Sequence, residues 1–227
     1  MKRTFDLKLK RPDNKSLTRI IESAESLFST KGYYATSIRD VVADAKVNLA
    51  AINYHFRNKE SLYCEILRRR LRPMNQSRLA KLESAIELAG DKPIPLALIF
   101  DIFARPFFEL SNDGTVENRH ASRLIGRSVV ESVPFADELL ATEIHVTTAH
   151  FARAIRKHAP GLQPTEFIWR LNFVVGAMHH TLATIHQMTA LTRGLCRNND
   201  FESALRHFTQ FAVKTFIGCT PQTSVSP

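Results

Sequence analysis

The sequence has few cysteines and few glycines, and each shortage excludes a kind of site. Cys64, Cys196 and Cys219 lie far apart and form no Cys-x-x-Cys pair, so we expect neither a disulfide framework nor a zinc site. The eight glycines are all isolated, and the closest two are Gly114 and Gly126. A phosphate-binding loop of the Walker or dinucleotide type needs clustered glycines, so the sequence argues against a nucleotide-dependent enzyme.

Long apolar runs are missing as well. The apolar stretch 94–108 is interrupted by Asp101 and Arg105, and no segment reaches the roughly 20 apolar residues of a membrane span. The cationic start of the sequence lacks the apolar run that follows the cations of a signal peptide. We therefore expect a cytoplasmic protein without a membrane segment.

The remaining composition is that of an ordinary globular chain. Of the 227 residues 44% are hydrophobic and 23% are charged. Apolar residues recur mainly at spacings of three and four, and alternating runs of β-branched residues are few, which predicts helices almost throughout. The expected fold class is all-α.

The excess positive charge is concentrated in the first third of the chain. Residues 1–72 contain 16 Lys and Arg against 8 Asp and Glu, whereas residues 73–227 contain 15 against 14. Binding to phosphates requires local positive charge, so this distribution fits a nucleic-acid-binding head on a near-neutral body. A solvated basic face is the alternative.

The basic part of the chain contains the pattern of a helix-turn-helix. Apolar spacing predicts an amphipathic helix over 17–28, and Gly32 predicts its end. Thr36 or Ser37 can cap a second helix, and Asn48 can cap a short third one. Two short helices joined by a tight turn within a basic three-helix unit form a helix-turn-helix.

Three segments of this head resemble the DNA-binding signature of TetR-family transcriptional regulators: GYYATSIRDVVA at 32–43, VNLAAINYHF at 47–56 and NKESL at 58–62. The resemblance covers residues 17–67 and implies an N-terminal three-helix head on a C-terminal helical bundle, in a protein that regulates transcription, most often as a repressor. Lys46 departs from the family pattern, which usually has glycine in this turn. A positive φ there costs a non-glycine residue of order 1 kcal/mol, so we expect a locally adjusted turn.

The third helix of such a head enters the major groove of double-stranded DNA. Asn53 is the strongest candidate for reading a base, because its amide can donate to and accept from one adenine edge. Leu49, Ala50 and Ala51 can offer only apolar contact to thymine methyl groups. The resemblance further implies phosphate contacts from six residues: Thr36, Ser37, Arg39, Tyr54, His55 and Lys59. The caps and Tyr54 have purely structural roles as their alternative.

We divide the chain into a basic arm (1–15), a DNA-binding domain (16–67), an effector-binding and dimerisation domain (68–218) and a tail (219–227). The arm could reach an adjacent minor groove or remain a solvated tail.

Two segments near the end of the sequence carry more apolar surface than packing against the core of their own chain would require. The range 165–190 is apolar on two sides, and 200–217 carries a wide stripe that includes Phe208 and Phe216. Two such helices from each of two chains would form a four-helix interface, and a two-fold protein matches a palindromic operator. We predict a homodimer through 165–190 and 200–217, with burial in a monomer core as the alternative.

The body has more large apolar side chains than a small bundle needs to close, so we predict a cavity for a small hydrophobic effector. Short segments at 123–126 and 159–170 loosely resemble the fatty-acid-responsive branch of the family, which implies a fatty acid or acyl thioester with its head group near Arg123, Arg170 or a histidine. Pairing of Arg170 with Glu166 is the structural alternative. The candidate lining residues are Phe103, Phe107, Ile125, Val129, Trp169 and Phe173.

Other function classes have less support. The histidines at 145, 150, 179, 180 and 186 have no carboxylate or cysteine at ligand spacing beside them, so we expect no catalytic residue, no metal and no cofactor. His179 and His186 retain a possible role in binding an effector. A ligand-independent architectural DNA-binding dimer is the alternative to an effector-controlled repressor.

Overall fold

The computed structural model describes residues 14–112, 115–131 and 133–217, and these residues form helices without any strand. The all-α prediction is therefore confirmed. In chain order the elements are α1 (Asn14–Lys31), α2 (Ile38–Ala45), α3 (Leu49–His55), α4 (Lys59–Ala89), α5 (Leu96–Asn112), α6 (Val116–Val130), α7 (Pro134–Arg156), α8 (Pro164–Thr184), a 3₁₀ turn (Ile185–Gln187), α9 (Met188–Leu191) and α10 (Phe201–Phe216).

Helices α1 to α3 and the start of α4 form the head, and polar caps set their limits. Gly32 has a φ of 88° and follows the last residue of α1, as its position in the sequence predicts. The Ser37 hydroxyl accepts a hydrogen bond from the Asp40 backbone, and the Asp40 carboxylate accepts one from the Ser37 backbone in return. Asn48 and Asn58 cap α3 and α4 through their side-chain oxygens.

The turn between α2 and α3 is built with lysine where glycine was expected. Lys46 lies in the left-handed region with a φ of 51° and a ψ of 48°. Its backbone N–H donates to the carbonyls of Val42 and Ala43, which closes the C-terminus of α2. The expected local adjustment of the turn is therefore not seen: lysine adopts the positive φ that glycine usually provides, despite a strain of order 1 kcal/mol.

The head has its own apolar centre. Ile20 and Phe28 of α1 are buried against Val41 of α2 and Ile52 of α3, with Phe56 at the end of α3. Because Ile52 and Phe56 anchor one side of α3, the opposite side is held outward in a fixed orientation.

Helix α4 joins head and body without a break. It runs for 31 residues, contains Pro73 in its interior, and crosses the predicted domain boundary between residues 67 and 68. The N-terminal part of α4 packs in the head against α1, and the helix also packs against α5 and α7. A displacement of the body helices can therefore be transmitted to the head through one continuous helix.

The body surrounds the apolar helix α5. Helix α10 packs on α5 and α8, whereas α6 packs on α1 on one side and on α8 on the other. Gly126 permits the close approach of α6 and α8, since a Cβ at this position would lie 2.9 Å from the Ala183 backbone nitrogen. Pro134 and Pro164 stand at the first positions of α7 and α8, where the absent N–H costs nothing.

The segment predicted as one helix over 165–190 is divided. Helix α8 ends at Thr184, and a 3₁₀ turn leads into the short α9. The hydroxyls of Thr181 and Thr184 donate to the carbonyls of Ala177 and His180, a pattern that bends helices.

Across the described ranges, no helix is both long enough and apolar enough to span a membrane. Within the same ranges, no group of three His, Cys, Asp or Glu side chains could hold a metal ion.

Candidate nucleic-acid interface

One face of α3 carries the side chains that can reach DNA. Leu49, Ala50, Asn53 and Tyr54 are exposed, with 62% of Tyr54 accessible to solvent. Asn53 carries two amide donors and a carbonyl acceptor, which match the N6 and N7 groups of adenine. Asn53 is thus exposed between apolar neighbours, in a position from which a bidentate contact with a base stays a prediction.

Two of the predicted DNA-contacting residues point into the protein. Ala51 is only 7% exposed because it packs in the core of the head. Thr36 is 1% exposed, and its hydroxyl donates to the Gly32 carbonyl at 2.8 Å. A side chain without accessible surface cannot meet a base or a phosphate, so we remove Ala51 and Thr36 from the proposed contact set. The sequence did not distinguish these two buried residues from their exposed neighbours Ala50 and Ser37, because they are adjacent in the chain.

Lys59 also has an internal role. Its ammonium donates to the carbonyls of Tyr33 and Thr36, each at 2.8 Å, and lies 4.0 Å from the centre of the Tyr33 ring. Partial burial lowers the pKa of the Lys59 ammonium. The side chain thus fastens the start of α4 to the loop between α1 and α2, and any phosphate contact would use the single remaining donor.

The other predicted phosphate contacts differ in accessibility. Arg39 is exposed on α2, whereas His55 is half-buried with its Nε2 shielded from solvent. The Ser37 hydroxyl is exposed but donates to the Asp40 carboxylate at 2.8 Å. The hydrogen bond from the Ser37 backbone N–H first, and the one from the hydroxyl second, lower the pKa of Asp40. A phosphate would compete with Asp40 for that hydroxyl.

Two exposed cations that were not among the predicted phosphate contacts flank α3. Lys46 is exposed in the turn before α3, and Arg57 is exposed in the loop after it. Their positions on either side of α3 place positive charge at both ends of the exposed face. The signal was available in the sequence as the basic residues nearest to the third helix. The basic arm, apart from Asn14 and Lys15, lies outside the described residues.

The head is joined to α6 by polar contacts. The Glu131 carboxylate accepts a hydrogen bond from the Tyr33 backbone at 3.0 Å and is paired with Arg127. The His120 ring lies 2.7 Å from the Ser29 hydroxyl and 3.3 Å from that of Ser26. Burial is the main cause that lowers the pKa of His120. Movement of α6 would therefore be felt directly by α1 and by the loop that follows it.

The six predicted effector residues are divided between the core and the surface. Phe103, Phe107 and Ile125 are buried in the core, whereas Val129, Trp169 and Phe173 are exposed on the surface. Helical spacing identifies an apolar stripe but does not tell which of several neighbours will cover it, so the contact of these residues with an effector stays a prediction.

One of the two arginines expected to bind a head group already has partners within the chain. Arg170 pairs with Glu166 and donates to the Thr215 carbonyl, which confirms the structural alternative. A cavity of about 660 Å³ between α8, α10 and the segment connecting them is lined by other residues, including Phe108, Thr181 and Phe211.

The surface predicted for dimerisation is revised in detail. Phe208 and Phe216 are buried against α5 within the same chain, close to Phe108 and Phe100. The apolar side chains left exposed on α8 and α10 are instead Ile168, Trp169, Phe173 and Phe211, with Trp169 57% and Phe173 59% exposed. The ring centres of Trp169 and Phe173 lie 5.8 Å apart, and the two side chains form an apolar patch on α8.

Two family profiles match the chain. The profile of bacterial regulatory proteins of the tetR family matches residues 20–66, and that of the tetracyclin repressor-like C-terminal domain matches residues 101–214. The second profile alone spans half of the sequence. The chain belongs to the TetR family. Members of this family are DNA-binding transcriptional regulators that generally act as repressors.

Individual relatives agree with this family. YttP of Bacillus subtilis, a probable HTH-type transcriptional regulator, is 28% identical over 124 residues, which are 55% of this chain and 55% of YttP. IcaR of Staphylococcus epidermidis, the negative transcriptional regulator of the biofilm operon icaADBC, is 40% identical over 45 residues, which are 20% of this chain and 24% of IcaR. The chain thus spans about half or less of the length of these curated relatives.

Solved structures show the same fold. SmeT, the repressor of the Stenotrophomonas maltophilia multidrug efflux pump SmeDEF, superimposes with a TM-score of 0.58 at 18% identity, covering 92% of this chain and 96% of SmeT. A complex of SmeT with triclosan gives a TM-score of 0.56 at 17% identity, covering 93% and 99%.

Proposed function

We propose that this regulator is a homodimeric repressor, acting in the cytoplasm, that binds a palindromic operator in double-stranded DNA and is released by a small hydrophobic effector. The observation that carries the DNA-binding part is the outward face of α3, where Asn53 stands between exposed apolar residues on a helix anchored by Ile52 and Phe56. In this arrangement Asn53 reads a base. Ser37, Arg39, Tyr54 and His55, with Lys46 and Arg57 added, supply donors for the flanking phosphates.

The dimer uses the exposed apolar surface of α8 and α10. Three large apolar side chains are exposed there: Trp169, Phe173 and Phe211. Exposed apolar patches of this kind mark interaction surfaces more often than single exposed residues do. A second copy of the same surface across a two-fold axis would cover it and would hold the two α3 helices about one DNA turn apart, at roughly 34–36 Å.

Release requires that effector binding in the body reach the head. The contacts of Glu131 with Tyr33 and of His120 with Ser26 and Ser29 provide a direct link from α6 to the head. An effector must favour the arrangement with the non-operator spacing, since equal affinity for both arrangements would shift nothing. A fatty acid or an acyl thioester is our first candidate, in view of the aromatic interior around α5.

The test is selection of bound fragments from genomic DNA with purified protein, followed by release assays with apolar small molecules. Enriched fragments should share an inverted repeat with half-sites one helical turn apart. Enrichment without a repeat would exclude the dimeric operator complex. A regulator that binds the repeat but responds to none of a broad set of apolar molecules would instead be a ligand-independent architectural protein.

A further inference from the structure

A positively charged side chain is enclosed in the centre of the body. Arg78 of α4 is 2% exposed, and its guanidinium carbon lies 4.1, 5.0 and 5.3 Å from the ring centres of Phe103, Phe107 and Phe151. Burial lowers the pKa of Arg78 to about 9, so the group remains charged at neutral pH. An enclosed charge normally has a partner of opposite charge, because the loss of hydration is otherwise uncompensated.

The hydrogen bonds of Arg78 are incomplete. Nη1 donates to the Asn75 side chain at 2.9 Å, whereas Nε and Nη2 find no acceptor among the described residues. The three aromatic rings compensate part of the charge through cation–π contacts, but they accept no conventional hydrogen bond. Two donors on one edge of the guanidinium are therefore left unused in the interior.

The unused edge is the one with which other arginines of this chain bind carboxylates. Arg70 binds Glu25 with Nε and Nη2 at 2.7 and 2.6 Å, and Arg105 binds Asp101 with the same two atoms at 2.9 and 2.8 Å. Parallel N–H donors at this spacing fit the two oxygens of one carboxylate. At Arg78 the corresponding position faces no acid among the described residues.

A second polar group without a partner lies in the same region. His179 of α8 is buried, its Nδ1 has no hydrogen-bond partner, and its ring lies 6.2 Å from that of Phe107. Burial first and the charge of Arg78 second lower the pKa of His179 to about 4, so the imidazole is neutral at pH 7. A neutral imidazole offers one N–H donor and one acceptor, and the donor can bind a carboxylate oxygen.

From this geometry we infer that the interior around Arg78, His179, Phe103, Phe107 and Phe151 is a binding site for the carboxylate of a small organic monoacid with an apolar body. One guanidinium balances a single negative charge, whereas a phosphate would bring a further charge without a counter-ion. The aromatic rings around the guanidinium provide the apolar surroundings that the body of such an acid would contact. This inference rests on the proposed function in taking the acid as the effector, and it favours a free acid over an acyl thioester, which has no carboxylate at that end.

The experiment compares acids with neutral molecules of the same skeleton. Binding of benzoate, octanoate and decanoate to the full-length protein is measured by thermal shift and calorimetry beside benzyl alcohol, 1-octanol and 1-decanol. At least one acid should bind about tenfold to hundredfold more tightly than its alcohol, which is the usual contribution of hydrogen bonds between charged groups. Equal binding of every acid and its alcohol would overturn the inference without the need for any variant.

Two variants locate the acid. Arg78→Met keeps an unbranched apolar stem and removes an enclosed charge, so it should fold and lose the preference for the acid. Arg123→Met, at the anchor that the sequence suggested, should keep it. Undiminished acid preference in Arg78→Met, or its loss in Arg123→Met alone, would place the carboxylate elsewhere and refute the site.

Operator binding is followed in the same samples. Failure of the ligand-free wild-type protein to bind any operator would contradict the proposed function while leaving the acid site testable by calorimetry. Acid binding through Arg78 without operator release would support the site and refute the release mechanism.

Discussion

Replacement of Lys59 can distinguish a structural role of this side chain from a contact with a DNA phosphate. Its ammonium makes two 2.8 Å hydrogen bonds to the carbonyls of Tyr33 and Thr36 and packs on the Tyr33 ring. Lys59→Met preserves the aliphatic stem and removes these interactions. A hydrogen bond to a charged group contributes about 1.5–3 kcal/mol, and the lower end applies at a half-buried position. We therefore expect the free energy of unfolding to fall by about 2–4 kcal/mol.

The effect on DNA binding should follow from the loosened head. The affinity should decrease for specific and non-specific DNA alike, because the loop before α2 loses its attachment to α4. The dependence of affinity on salt should stay as in the wild-type protein. A lost phosphate contact would instead reduce the slope of log K against log salt by about 0.9.

The measurements are urea unfolding and operator titrations at several salt concentrations. Lys31→Met is the matched control, since Lys31 is exposed at the end of α1 and its replacement removes the same charge from the head. A slope reduced by about 0.9 in Lys59→Met, with unfolding as in the control, would show that Lys59 contacts a phosphate and that its structural role contributes little.

Three further predictions concern base reading, assembly and pH. Asn53→Ala should relax base preference at one position of each half-site by about 1–3 kcal/mol, and unchanged discrimination between operator variants in competition assays would remove Asn53 from base reading. Phe173→Asp combined with Phe211→Asp should give folded monomers with weak operator binding, because both side chains are exposed in the single chain; a dimer of unchanged stability in sedimentation would exclude this surface. His179 binds a proton with a pKa of about 4 when folded and 6.5 in its ordinary state, so the unfolded chain is protonated first and about 3 kcal/mol of stability, present above pH 6.5, should be lost as the pH falls to 4. His179→Leu should lack this part of the acid destabilisation in urea unfolding measured at each pH, and an identical pH profile would contradict the burial of a neutral imidazole.

The head could be predicted in detail because its determinants are local. Caps at Ser37, Asn48 and Asn58, the stop at Gly32 and the positive φ at Lys46 each depend on a few neighbouring residues. Local hydrogen bonds and apolar spacing act over one or two turns of helix, and the sequence displays both directly.

The predictions for the body were less accurate because its faces are assigned by distant partners. Phe208 and Phe216 follow the same apolar spacing whether they face α5 or a second chain, and Val129 and Ile125 lie one turn apart on α6 with opposite exposure. Spacing measures how apolar a face is but does not show which helix will cover it. The dimer residues therefore required correction and the effector residues were divided between core and surface, whereas in the head only Thr36 and Ala51 were removed.

The sequence by itself determined the helical class, the basic helix-turn-helix, its caps and the outward position of Asn53, since these follow from spacing and charge along the chain. Only the tertiary structure decided that Thr36 and Ala51 are enclosed. It also brought Arg78 of α4 together with rings from α5 and α7 and close to His179 of α8, so that an arginine in a mixed helical sequence became a buried cation with an unused carboxylate-binding edge. The physical reason is that desolvation and hydrogen-bond satisfaction depend on residues far apart in the chain, which come into contact only when the helices pack.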